Sequence, residues 1–152
     1  MKEGILNMKR GTWAEINLNN IKHNFHSLKN TLKSDTKVCC VVKADAYGHG
    51  AVEVAKMLQQ EKADYFSVAR FEEAVELRNN NIHTPILCMG YISECDIEEA
   101  INRYIGITVY SYEMAKIINQ KAGKLGKKAS IHIKIDTGMS RLGFLTDDNS
   151  IN

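Results

Sequence analysis

Charge of one sign is the first thing this 152-residue chain lacks: 20 Lys and Arg face 18 Asp and Glu, a net charge of +2. So close a balance gives no footing for a polyanion partner, and no nucleic acid is expected. The one basic cluster, Lys121, Lys124, Lys127 and Lys128, reads as a solvated helix end where cations complement the helix dipole. Long apolar runs are missing as well. No stretch reaches the roughly 18 residues that cross a bilayer, and Met1-Lys2-Glu3-Gly4-Ile5 has no apolar signal core, so no membrane is expected and the compartment is read as cytoplasmic. Cysteine is sparse. The four at 39, 40, 88 and 95 lack the paired short spacings of a zinc site, so no metal is expected. Cys39, Cys40 and Cys88 fall inside apolar runs and are read as reduced core thiols.

What is present is a core-sized share of apolar residues, 44%, beside 25% charged, the balance of an ordinary globular protein. Thr12 to Leu18 alternates polar and apolar as a half-buried strand does. Asn19 and Asn20 then open a helix with Ile21, Phe25, Leu28 and Leu32 on one stripe. Val38-Cys39-Cys40-Val41-Val42 is an unbroken apolar run, typical of a strand buried on both faces. Helix and strand patterns alternate from there: a helix through Val52 to Leu58, a strand at 65–69, a helix at 71–78, a strand at 85–89, a helix at 97–101, a strand at 105–109, a helix at 114–125 and a strand at 131–135.

Such alternation predicts parallel α/β units. No Gly-x-Gly-x-x-Gly follows the first buried strand, which weighs against a dinucleotide-binding sheet. A (β/α)8 barrel fits better, yet it needs about 250 residues. The expected fold is therefore an incomplete TIM-type barrel of about five parallel strands, preceded by a short extra strand. A loosely ordered tail is expected over 145–152.

In Val41-Val42-Lys43-Ala44-Asp45-Ala46-Tyr47-Gly48-His49-Gly50, a lysine closes a buried strand before a loop with two glycines, the place where barrel enzymes hold reactive groups. An amine in apolar surroundings has its charged form disfavoured and becomes available to form a Schiff base with an aldehyde. This segment closely resembles the cofactor-lysine motif of the alanine racemases. Lys134-Ile135-Asp136-Thr137-Gly138-Met139-Ser140-Arg141-Leu142-Gly143-Phe144 resembles that family's second motif, and Thr12-Trp13-Ala14-Glu15-Ile16 its opening strand. The resemblance runs from Gly11 to Phe144.

It implies a pyridoxal-phosphate-dependent amino-acid racemase that interconverts L-alanine and D-alanine, the latter supplied for peptidoglycan. Lys43 would carry the cofactor and act as base on one face of the substrate. Tyr47 matches a tyrosine close to the cofactor, and Arg141 the arginine beside the cofactor ring and the substrate carboxylate, a task suited to a rigid guanidinium fork. Lys134 matches a position that is carbamylated in many members; Met89 and Met139 match positions near the active site. His49 is assigned to support of the lysine loop. The resemblance also implies a second base, a tyrosine far downstream, contributed by the partner subunit's β-rich domain in a homodimer. Residues 1–18 would then pair with that β-rich domain, and 19–152 would form the first half of the barrel. By itself the 152-residue chain is expected to bind cofactor weakly and to racemise alanine poorly or not at all. A racemase for serine or another amino acid, a non-catalytic module like the pyridoxal-phosphate homeostasis proteins, and a fragment with no ligand remain open as alternatives.

Overall fold

The computed structural model describes residues 11–146. Residues 1–10 of the expected N-terminal segment and 147–152 of the expected tail lie outside them. The element order is α1 (Leu18–Lys29), β1 (Cys39–Val41), α2 (Lys43–Gly48), α3 (Ala51–Gln60), β2 (Tyr65–Val68), α4 (Phe71–Asn79), β3 (Ile86–Cys88), α5 (Ile97–Asn102), β4 (Ile105–Val109), α6 (Tyr112–Lys124) and β5 (Ile131–Ile133). All neighbouring strands pair in parallel, in the order β1-β2-β3-β4-β5, so each α/β unit adds its strand beside the one before. This is the five-stranded, alternating architecture expected of an incomplete barrel.

The two faces of the sheet differ. Phe66, Val68, Ile86, Cys88, Ile105 and Ile107 are all buried and face the helices. The register puts Tyr65, Ser67, Leu87, Gly106, Thr108 and His132 on the other face. There the rings of Tyr65 on β2 and His132 on β5 meet edge to face, with centroids 6.3 Å apart, although β3 and β4 lie between them. Strands about 4.8 Å apart would hold these rings well beyond contact on a flat sheet. The sheet is therefore strongly curved, with this face concave, as a barrel interior requires.

Several local expectations need correction. Thr12 to Asn17 has no regular secondary structure, because a strand needs a hydrogen-bonded neighbour and none pairs with it among the described residues. The first helix starts at Leu18, where the Asn17 side chain accepts hydrogen bonds from the Asn19 and Asn20 backbone N–H groups at 3.0 and 3.3 Å. That helix stops at Lys29, so Leu32 is outside it, and of the expected stripe only Phe25 is buried while Leu28 is exposed. β1 is not buried on both faces: Cys39 and Val41 are exposed, since β1 is an edge strand and its concave side is uncovered. Cys39 is thus no core thiol, whereas Cys88 is buried. β5 ends at Ile133 rather than Ile135, where the chain leaves the sheet, and α6 begins two residues before Met114 because the Ser111 hydroxyl accepts from Met114 N–H at 3.2 Å.

Candidate functional site

The turn that presents Lys43 has an unusual backbone. From Ala44 to Tyr47 four consecutive residues hold φ between 51 and 56°, a left-handed helical turn built without glycine. Each L-residue there costs roughly 1–2 kcal/mol, so neighbours must hold the turn in place. Asp45 Oδ1 accepts from the Ala51 N–H at 2.7 Å, tying the turn to the start of α3. Ala46 is buried, and its N–H donates to Val42 O at 3.0 Å. His49 Nδ1 lies 2.9 Å from Ala46 O, which places this imidazole in the framework of the loop. Glu73, on the first turn of α4, accepts from the Ala44 N–H at 2.7 Å through Oε1, and from the Ala69 and Arg70 N–H groups at 2.8 and 3.0 Å through Oε2.

Lys43 itself is half-buried immediately beyond β1, with Nζ 6.0 Å from the centroid of the Tyr47 ring. Tyr47 is exposed and borders an apolar groove of about 390 Å³ along the β1 edge, together with Ile21, Val42, Ala46 and His49. A second group gathers on the concave face. Met89, Leu87, Thr108, His132 and Lys134 surround a cavity of about 260 Å³, with Lys134 half-buried among them. Close by, the Ser67 hydroxyl is fully buried and has no hydrogen-bond partner among the described residues. Two separate places thus carry the candidate groups: the β1 edge, with an amine beside an aromatic ring, and the concave face, with a second amine next to Met89.

The segment after β5 is shaped as a loop closed on itself. Asp136 N–H donates to Phe144 O and Phe144 N–H to Lys134 O, both at 2.8 Å. Inside the loop, Asp136 Oδ1 accepts from Gly138 and Ser140 N–H at 2.9 and 3.0 Å, and these backbone donors hold its carboxyl below the usual carboxylate range. Gly143 sits at φ +146°, where an added Cβ would lie 2.5 Å from Asp136 N, so this closure requires glycine. Arg141 is exposed and forms no hydrogen bond or ion pair among the described residues; Met139 is exposed too.

Of the residues singled out in the sequence, then, Lys43 and Tyr47 come together, Met89 and Lys134 come together, and Arg141 lies on the neighbouring loop with no polar partner among the described residues. Glu73, Asp45 and Ser67 were missed. The signal for Glu73 was weak but present, an acidic residue three positions into a helix. For Ser67 there was none, because a serine inside a strand pattern does not reveal which face it occupies.

Residues 16–150 match the family model described as alanine racemase, N-terminal domain. Alanine racemase of Methanococcus maripaludis is 49% identical over 139 residues, covering 91% of this chain and 37% of the relative. Alanine racemase of Clostridium tetani is 45% identical over 142 residues, covering 93% and 36%. Among solved structures, alanine racemase of Clostridium difficile 630 superposes with a TM-score of 0.89 at 52% identity, covering 93% of this chain and 37% of that one. The chain thus spans a little over a third of the length of these relatives.

Proposed function

Because the chain belongs to the alanine racemase family through its N-terminal domain, we propose that it supplies the cofactor-holding lysine of a pyridoxal-phosphate-dependent racemase that interconverts L-alanine and D-alanine. The observation that carries this reading is Lys43: a half-buried amine just past the carboxyl end of β1, at 6.0 Å from the Tyr47 ring, on a backbone turn kept in a costly conformation. Strain of this kind is retained where the placement of a side chain has a use.

Pyridoxal phosphate, when bound, supplies the conjugated ring that accepts the electron pair of the substrate's Cα–H bond. The rest of the work falls to side chains. Lys43 Nζ would hold the cofactor and would take and return the substrate's α-proton on one face. Arg141, which has no polar partner among the described residues, would hold the substrate carboxylate with a bidentate fork. Tyr47 and Met89 are assigned to the surroundings of the cofactor. Lys134 is assigned as a carbamylation site, which would turn an ammonium into an anion able to pair with Arg141. Residues 1–18 are assigned to pairing with a β-rich C-terminal domain, 19–152 to the first half of the barrel, and the assembled enzyme to a cytoplasmic homodimer supplying D-alanine for peptidoglycan.

The test is uptake of α-deuterium into L-alanine in heavy water by the protein supplied with pyridoxal phosphate. Uptake that depends on Lys43 and vanishes in Lys43→Ala supports the reading; uptake that survives the substitution would refute Lys43 as the base.

A further inference from the structure

Glu73 joins two strand ends through a single carboxylate. Its Oε2 accepts from Ala69 and Arg70 N–H at 2.8 and 3.0 Å, the ordinary task of an acidic residue on the first turn of a helix. Its Oε1 does something that helix capping does not call for. It reaches across to the preceding α/β unit and accepts the Ala44 N–H at 2.7 Å, 29 residues away in sequence. Ala44 directly follows Lys43 and is the first residue of the left-handed turn, with φ 51°. Later amides bond within their own segment, as Ala46 N–H does to Val42 O at 3.0 Å and His49 N–H to Ala46 O at 3.2 Å. Among the described residues, the first has only Glu73.

We propose that Glu73 is a positioning residue for Lys43: by accepting the Ala44 N–H it holds the left-handed turn in register with the end of β2 and so sets where the Lys43 amine points. The proposal rests on the assignment of Lys43 as the cofactor lysine. Its physical basis is a count of lone pairs. A carboxylate accepts all three N–H groups at once. Glutamine of the same size has one accepting oxygen, and its NH2 would oppose an N–H donor at whichever end it is turned toward. Glu73→Gln therefore keeps the volume and the helix but must release Ala44, because its single accepting oxygen is taken by the two donors at the start of α4. Charge-assisted bonds of this length are among the stronger ones. Freeing Ala44 lets the turn relax toward right-handed backbone, which re-aims its neighbour, and displacement of a reacting group by about 1 Å can cost on the order of a hundredfold in rate.

The experiment uses three readouts on wild-type, Glu73→Gln and Glu73→Ala protein. The first is the rate at which pyridoxal phosphate followed by borohydride labels Lys43, relative to the other lysines, by peptide mass. The second is hydrogen exchange at the Ala44 amide, and the third is denaturant stability. The expected result is a protected Ala44 amide in wild type. In Glu73→Gln that amide becomes exchangeable and Lys43 labelling slows about tenfold or more, while stability changes little; Glu73→Ala loses at least as much labelling. Wild-type labelling rates in Glu73→Gln, or an Ala44 amide that exchanges freely in wild type, overturn the proposal. So does a fall in labelling that merely tracks lost stability at every lysine. A wild-type protein whose Lys43 shows no preference for the probe instead defeats the assignment of Lys43, and the exchange data then still decide whether Glu73 holds the turn.

Discussion

A single backbone choice governs the residue scale. Lys43 sits on a turn whose four left-handed residues would, unaided, cost roughly 4–8 kcal/mol at the usual 1–2 per residue, and Glu73, Asp45 and Val42 O each accept a hydrogen bond that holds it. The proposed cofactor lysine and a strained backbone thus share one address. The thiols make a contrasting case. Burial pushes both Cys40 and Cys88 up to about 11, so each stays protonated and inert at neutral pH. Cys39 and Cys95 are exposed. Iodoacetamide under native conditions should therefore alkylate Cys95 and Cys39 well before Cys40 and Cys88, as read by peptide mass; prompt labelling of Cys88 would show that the helix-facing core is not closed. That Lys43 follows the end of β1 was legible in the sequence because the apolar run before it is local. Cys39 was misread because an apolar run reveals neither sheet edge nor open face, both of which depend on distant partners.

At the scale of elements, the loop between Lys134 and Phe144 carries the clearest predictions. Gly143→Ala forces a Cβ to within 2.5 Å of Asp136 N at φ +146°, so it should cost at least about 1–2 kcal/mol and open the paired hydrogen bonds between the loop ends. Loss of amide protection at Asp136 and Phe144 would register this, with α6 and β4 unaffected. Asp136 adds a pH dependence of defined sign. Its carboxyl is depressed in the folded state, first by the Ser140 N–H and then by the Gly138 N–H. The order it contributes is complete above the ordinary carboxylate range and disappears as pH falls through the depressed value. Amide shifts of Gly138 and Ser140 followed on acidification should move together below that range; shifts that stay flat would remove Asp136 as the organiser. Helices and strands from Ala51 to Lys124 fell within a residue or two of their expected bounds, since their apolar periods match their burial. The left-handed turn after Lys43 was not legible, because nothing in Ala44-Asp45-Ala46-Tyr47 signals positive φ and its cause lies 29 residues away in Glu73.

For the whole molecule, curvature is the property that matters. The contact between Tyr65 and His132 across two intervening strands marks the sheet as curved around a concavity, with Lys43 beyond one edge strand and Lys134 beyond the other. Helices cover the convex face of β2, β3 and β4, where Phe66 is completely buried. Phe66→Ala should therefore cost about 3–5 kcal/mol in a denaturant titration, whereas Tyr104→Ala, at an exposed position, should cost little. The central claim remains that Lys43 is the cofactor lysine. Its most direct test is to mix the protein with pyridoxal phosphate, reduce with borohydride and map the peptides. The account predicts the reduced cofactor on Lys43 ahead of every other lysine, and none on that peptide in Lys43→Ala; label spread evenly over surface lysines such as Lys121 and Lys124 would contradict it.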